Sequence, residues 1–356
     1  MSDEGTDEAM IRVLIVDDSS MIRRIVQRAV RKDPRMIVAG AAPSGESALA
    51  MIPELDPDVV LLDVSMPGMD GLEVLDVIRK RHDDLPVIIF SSLAERGTRV
   101  AFEAIARGAS DHMPKPTGDV QSALGQLLDK LVTVVEVRKR RHATRRAATV
   151  EPPPRSITAR ASTHPPELVV IGSSTGGPNA LAELIDGLPS DLSVPIVVVQ
   201  HMPPVLTRFL AKRLDSRTPL TVFEAGEGDL MRPGTIAIAP GDHHLELVRS
   251  RDGFRAVLTD APPENSCRPS VDVLFRTAAK LAGPGVLAVV LTGMGQDGLQ
   301  GCRAIWEAGG RIFTQRGDTC VVWGMPRVVE EAGLAHEVIP LPEIAGRIHS
   351  TLLGRV

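Results

Sequence analysis

Leu168-Val169-Val170-Ile171-Gly172-Ser173-Ser174-Thr175-Gly176-Gly177-Pro178 is an apolar run that ends abruptly in glycines around a serine. Helix-like sequence follows, from Asn179 to Leu188. That order predicts a strand, a sharp turn and a helix. Gly172-x-Ser174-x-Gly176 has nucleophile-elbow spacing, in which flanking glycines let the chain turn tightly and hold a serine hydroxyl out at the end of a sheet. A glycine loop that binds phosphate at a helix N-terminus is the other reading of the same residues, and the spacing alone does not separate the two.

The sequence downstream favours the nucleophile. Pro195 to Gln200 is an apolar strand ending at His201, and Val286 to Leu291 is another, ending in Thr292-Gly293-Met294-Gly295-Gln296-Asp297-Gly298. Ser174, His201 and Asp297 therefore each lie just past a buried strand. If those strands are parallel and adjacent, the three share one edge. Serine is then the nucleophile, histidine the general base, and aspartate the group that orients the imidazole. The chain order is Ser, His, Asp, whereas an α/β-hydrolase runs Ser, Asp, His, so a different α/β fold is expected. Ser173 precedes the elbow centre and is expected to pack or hydrogen-bond. His243 and His244 follow a strand at Thr235 to Ala239. A metal pair is one reading of them, but no carboxylate–histidine spacing accompanies them. Cys267 sits in a loop without a glycine turn and is expected to be an inert surface cysteine.

The first half alternates strand and helix. Arg12 to Val16, Ile37 to Ala39, Val59 to Leu62 and Val87 to Phe90 are short apolar strands, with a last one near Asp111 to Met113. Helical spacing at Met21, Ile22, Ile25, Val26, Ala29 and Val30 fills the first interval, and Ala48 to Ile52, Leu72 to Ile78 and Arg99 to Ala106 fill later ones. Such alternation predicts a doubly wound parallel sheet covered on both faces. Asp17 and Asp18 follow the first strand, Asp63 the third, and Lys115 the last. Three carboxylates converging at one edge repel unless a cation joins them. Hard oxygen ligands and few protein groups suit Mg²⁺.

Composition sets the bounds. The chain has 356 residues, 43% hydrophobic and 24% charged, which suits two soluble globular domains. A net charge of -5 gives no global sign of nucleic-acid or membrane binding. Three widely spaced cysteines argue against a disulfide framework and suit a reducing cytosol. Met1 to Glu8 is acidic and polar, unlike a signal peptide, and no apolar run approaches the ~20 residues that span a bilayer. A cytoplasmic protein is expected. From Arg138-Lys139-Arg140-Arg141-His142 to about Glu167 the texture turns basic, then rich in Ala, Pro, Ser and Thr, as in a linker; its basic run reads as a solvated helix end leading into a disordered linker, in preference to an electrostatic tether to an acidic partner or lipid headgroups. The expected organisation is a disordered 1–10, a first domain at 11–134, a basic, Pro-rich linker at 135–166 and a second domain at 167–352.

Val16-Asp17-Asp18-Ser19, Leu62-Asp63-Val64-Ser65-Met66-Pro67-Gly68-Met69-Asp70-Gly71 and Lys115-Pro116 resemble the receiver domain of two-component response regulators. The resemblance implies a flavodoxin-like fold in which Asp63 accepts a phosphoryl group from a histidine kinase of the chemotaxis type. It also implies Mg²⁺ held by Asp18, Asp63 and the Ser65 carbonyl, with Asp17 helping through water. Lys115 would bind phosphoryl oxygens and Ser91 would be the switch hydroxyl. His112 stands where the family usually has an aromatic rotamer switch.

Gly172-Ser173-Ser174-Thr175-Gly176-Gly177, Gln200-His201-Met202-Pro203, Ala239-Pro240-Gly241-Asp242-His243-His244, Arg268-Pro269-Ser270-Val271-Asp272-Val273-Leu274-Phe275, Leu291 to Gly298 and Gly324-Met325-Pro326 resemble the chemotaxis protein-glutamate methylesterase family. That resemblance implies a Rossmann-like parallel sheet and hydrolysis of glutamyl γ-methyl esters, and also deamidation of glutamines, on the cytoplasmic helices of chemoreceptors. It implies oxyanion donors near Thr175 and Met294, no cofactor for hydrolysis, and a receiver that obstructs the active-site cleft until phosphorylated. The family usually has histidine where Cys267 stands. No nucleic-acid partner and no membrane insertion are expected. Two other readings stay open on sequence: a response regulator whose second half binds a partner or DNA, and a phospho-regulated amidase or esterase with a non-receptor substrate.

Overall fold

The computed structural model describes residues 10–92, 95–116, 119–147 and 164–355. It divides into two compact units, Met1–Lys139 and Arg140–Val356.

The first unit alternates β1 (Ile11–Val16), α1 (Ser20–Val30), β2 (Met36–Ala42), α2 (Gly45–Leu55), β3 (Val59–Leu62), α3 (Gly71–Arg81), β4 (Val87–Ser91), α4 (Glu95–Ala106), β5 (Asp111–Pro114) and α5 (Val120–Ala147). All its strand pairs are parallel, in the order β2-β1-β3-β4-β5. This is the flavodoxin-like order, and its ligand crevice lies outside the strand ends where β1 meets β3. Val16 pairs with Leu62, so the next residues, Asp17 and Asp63, emerge side by side. Leu14, Val60, Leu62, Val74, Leu75 and Ile78 are buried between sheet and helices, each contributing about 1.5–3 kcal/mol. Helix starts follow local capping. Asp70 accepts from the Glu73 backbone at 2.9 Å, and Glu73 returns a bond to the Asp70 N–H at 3.0 Å.

The stretch expected as a linker from residue 135 is helical as far as Ala147, as the end of α5. The apolar positions Leu131, Val134, Val135 and Val137 are buried, so the basic residues that follow extend a packed helix. The proline-rich remainder at 148–163, like 1–9, lies outside the described residues.

The second unit contains β6 (Leu168–Ser173), α6 (Gly177–Asp186), β7 (Ile196–Gln200), α7 (Leu206–Asp215), β8 (Thr221–Glu224), β9 (Leu230–Met231), β10 (Thr235–Ile238), β11 (His244–Ser250), β12 (Gly253–Thr259), α8 (Val271–Ala282), β13 (Val286–Val290), α9 (Leu299–Glu307), β14 (Arg311–Gln315), α10 (Met325–Glu331), β15 (Glu337–Ile339) and α11 (Leu341–Leu352). Seven strands form one parallel sheet, ordered β15-β14-β13-β6-β7-β10-β8. β11, β12 and β9 make a separate antiparallel sheet. β6, β7 and β13 are buried along their whole length, as strands covered on both faces must be. They are also adjacent, β13-β6-β7, so the condition for a shared edge is met. Helix α6 starts at Gly177, before the expected Asn179, because Pro178 fits the first helical turn, where its missing N–H costs nothing.

Candidate functional sites

The edge of β6 and β7 is set by register. Ser173 pairs with Gln200, so Ser174 and His201 are the next residues on neighbouring strands. The His201 N–H donates to the Ser173 carbonyl at 3.1 Å, and the Ser174 N–H to the Thr292 carbonyl, past β13, at 3.0 Å. Gln200 binds the two strand ends together. Its side-chain oxygen accepts from the buried Ser173 hydroxyl at 2.7 Å, and its amide donates to the Ser174 carbonyl at 2.9 Å and the His201 carbonyl at 3.2 Å. Gly176 turns the chain at φ +78, a conformation glycine adopts without steric cost. Gly172 is required for approach: a Cβ there would meet Val271 of α8 at 2.5 Å.

His201 donates from Nε2 to Asp297 Oδ2 at 2.7 Å. Asp297 is buried and lies at the N-terminus of α8. Its Oδ2 also accepts from Val271 N at 2.7 Å, and its Oδ1 accepts from the Ser270 hydroxyl at 2.8 Å, Asn265 Nδ2 at 3.0 Å, Gly298 N at 3.1 Å and Asp272 N at 3.2 Å. Burial pushes this carboxyl up, but the His201 bond and charge and the α8 donors reverse the shift and leave it at about 2. Burial likewise pulls the imidazole down, and Asp297 and Cys267 outweigh it, raising His201 to about 9. With Nε2–H committed to Asp297, Nδ1 is the basic nitrogen. Among the described residues the Ser174 hydroxyl makes no hydrogen bond to it; Cys267 Sγ lies 3.6 Å away instead. Catalytic hydrogen bonds in ligand-free enzymes often close only with substrate.

Cys267 is therefore not the inert surface residue expected from its loop. Glu264 and Cys267 exchange backbone bonds at 2.8 and 3.1 Å around Asn265 and Ser266, whose φ values are 50 and 61. That is a two-residue hairpin with both central residues left-handed, here built without glycine. The turn aims Cys267 at His201, and Asn265 at both Asp297 and Asp272, each at 3.0 Å. Asn265, Ser270 and Gln200 are site residues that sequence reasoning missed as such. Ser270-Val271-Asp272 opening a helix was the available signal.

Thr175 lies in the elbow turn, where its carbonyl is 2.9 Å from the Thr292 hydroxyl. Met294 follows Gly293, whose backbone abuts Ser174: a Cβ on Gly293 would meet Ser174 Cβ at 2.9 Å. His243 and His244 do not converge. His243 pairs with Asp260 at 2.6 Å, while buried His244 accepts from Ser270 N at 3.2 Å and donates to the Pro262 carbonyl at 3.1 Å. Among the described residues, the clusters with metal-ligand spacing are His201–Cys267–Asp297 and Asp17–Asp18–Asp63.

In the first unit, Asp17 and Asp63 are buried and Asp18 is exposed. Lys115 Nζ lies 2.8 Å from Asp17 Oδ2 and 2.7 Å from Asp63 Oδ2. Burial raises the Asp17 carboxyl; Lys115 opposes this and the Asp63 charge adds to it, for a net upward shift. Three carboxylates facing a single lysine leave excess negative charge, which fits a divalent cation. Ser65 N donates to Asp63 Oδ1 at 3.1 Å. Ser91 ends β4, fully buried, its hydroxyl 3.2 Å from His112 Nε2. Burial lowers His112 to about 4, so its ring is neutral.

The fold of each unit and the chemistry at each edge define a response regulator with a hydrolase output. A family model for CheB methylesterase matches residues 169–348, and one for the response regulator receiver domain matches 13–126. A protein-glutamate methylesterase/protein-glutamine glutaminase of Nocardioides sp. (strain ATCC BAA-499 / JS614) is 47% identical over 346 residues, covering 95% of this chain and 94% of that protein. One from Trichodesmium erythraeum is 45% identical over 343 residues, covering 95% and 97%. The crystal structure of the Thermotoga maritima CheB methylesterase catalytic domain is 44% identical, covers 51% of this chain and 97% of its own, and superposes with a TM-score of 0.51. The chain belongs to the CheB family of protein-glutamate methylesterases.

Proposed function

We propose that this protein removes γ-methyl esters from glutamates of chemoreceptor cytoplasmic domains, releasing methanol, and deamidates receptor glutamines, under control of phosphorylation at Asp63. The hydrolase is residues 167–352 and the receiver 11–134. Ser174 Oγ attacks the side-chain acyl carbon while His201 Nδ1 takes its proton, and Asp297 stabilises the imidazolium. Peptide N–H groups near Thr175 and Met294 hold the oxyanion. The imidazolium returns the proton to the leaving methanol or ammonia. Water, activated by the same nitrogen, then cleaves the glutamyl–serine ester. No step uses a metal.

In the receiver, Asp18, Asp63 and the Ser65 carbonyl would hold Mg²⁺, with Asp17 helping through water. Mg²⁺ bound there would supply charge neutralisation; a chemotaxis-type histidine kinase loads Asp63, and Lys115 and Ser91 bind the phosphoryl oxygens. No described helix is long and apolar enough to cross a membrane, and a cytoplasmic enzyme acting on receptor helices agrees with that.

The observation that supports this reading most is the His201–Asp297 pair, fixed one strand either side of Ser174. Methanol release from methyl-labelled receptor membranes tests it. Ser174→Ala should abolish release, whereas Ser173→Ala, which removes a buried structural hydroxyl, should keep most of it. A dead Ser173→Ala with an active Ser174→Ala would reject the assignment.

A further inference from the structure

We infer that His201 and Cys267 form a zinc-binding half-site that switches off the hydrolase, an inference that rests on His201 being its general base. Tetrahedral zinc, with Zn–S about 2.3 Å and Zn–N about 2.0–2.1 Å, sets sulfur and nitrogen about 3.6 Å apart. Cys267 Sγ and His201 Nδ1 are 3.6 Å apart, so one ion bonds to both with little movement.

The imidazole is already oriented for this. A ligating histidine usually donates its other N–H to a carboxylate, which fixes the ring and raises its basicity. His201 does so from Nε2 to Asp297 Oδ2 at 2.7 Å. Asp297 itself stays outside the first coordination sphere, because both its oxygens are taken up by backbone and side-chain donors. The hairpin through Asn265 and Ser266 holds the thiol in place before any ion arrives. Both ligand residues are partly solvent-accessible, whereas Cys302 and Cys320 are buried. A thiolate and an imidazole favour zinc over Mg²⁺ or Ca²⁺. Water fills the remaining positions. A zinc ion on Nδ1 occupies the lone pair that must accept the Ser174 proton, so hydrolysis stops. The ion exchanges for the thiol proton and involves no redox step.

The test uses the full chain with saturating Mg²⁺ to occupy the acidic pocket. Co²⁺ replaces zinc as a spectroscopic probe, and a thiolate–cobalt charge-transfer band should appear in the near ultraviolet in the wild type. It should be absent in Cys267→Ser and in His201→Ala. Zinc should inhibit methanol release, with a midpoint at least about tenfold higher in Cys267→Ser, each variant referred to its own zinc-free rate; tenfold is the lower end for loss of even an outer-shell partner. Identical cobalt spectra for wild type and Cys267→Ser would overturn the site, whether or not the esterase reading holds. Zinc bound at the thiolate without loss of turnover would overturn the inhibition.

Discussion

Replacing Asp297 by asparagine keeps the shape of the site and reverses one of its hydrogen-bonding atoms. The new amide NH₂ must take the place of one carboxylate oxygen. At the Oδ1 position it would face four donors, from Asn265, Ser270, Asp272 and Gly298. At the Oδ2 position it would face two, the Val271 N–H and His201 Nε2–H. The second arrangement opposes fewer groups, and His201 relieves half of it by moving its proton to Nδ1. The imidazole then has its lone pair on the aspartate side and an N–H toward the nucleophile, which is the wrong tautomer. A comparable tautomer error in a serine protease costs roughly 10⁴ in kcat, or about 5 kcal/mol at about 1.4 kcal/mol per tenfold. The Val271 N–H is still left facing a donor, which costs folding stability by about 1–3 kcal/mol. Asp297→Asn should therefore fold, melt a few degrees lower, and release methanol from labelled receptor membranes roughly 10⁴-fold more slowly. A folded Asp297→Asn within tenfold of wild type would refute the assignment of Asp297 as the orienting group.

His201 is raised to about 9, so kcat/KM should climb with pH and level off near that value, and Cys267→Ser should move the rise to lower pH; a flat profile from pH 6 to 10 would exclude His201 as base. Because the folded pKa exceeds the unfolded value of about 6.5, the stability linked to His201 is full below that pH and is lost as pH rises through about 9. Asp297, held at about 2, contributes stability above its unfolded value of about 3.9 that is lost as pH falls towards 2; urea melts against pH would check both signs. A chelator should block loading of Asp63 by a small phosphodonor yet spare basal hydrolysis by a chain starting near Glu167, and loss of that activity would place a required metal in the hydrolase. Full-length protein should be slow without phosphodonor and faster with it, Asp63→Asn slow in both, and a chain lacking residues 1 to about 150 constitutively fast. A tenfold activation needs only about 1.4 kcal/mol of differential stabilisation between states, and equal rates for truncated and unphosphorylated protein would exclude autoinhibition.

The sheets were legible in the sequence because their central strands are buried on both faces and read as unbroken Val, Ile and Leu runs. The residues just past those runs, Asp17, Asp63, Ser174 and His201, could be picked out for the same reason. Less regular parts were not. β11 and β12 form a hairpin in which the neighbouring residues Val248 and Arg249, on opposite faces, are both exposed, so no clean alternation marks it. The two-residue β9 and three-residue β15 depend on neighbours for their pairing. Cys267 was misjudged because a glycine-free turn was taken for an unstructured loop, while Asn265 and Ser266 adopt the left-handed conformations themselves. The basic stretch could be read as a helix end running into a linker or as a tether, because its charged residues look alike in both, and the helix runs on to Ala147.

The contact between Gly172 and Val271 has a mechanical consequence. The strand that carries Ser174 and the helix whose first turn grips Asp297 touch where one hydrogen replaces a methyl group. The spacing between serine and acid is thus gauged by apolar bulk in a spot that holds no reacting atom. Trimming Val271 to alanine or enlarging it to isoleucine would adjust that gauge while adding no polar group to the core. The enzyme so offers an experimental dial for how closely Ser174 and Asp297 must be held, turned from within its hydrophobic core.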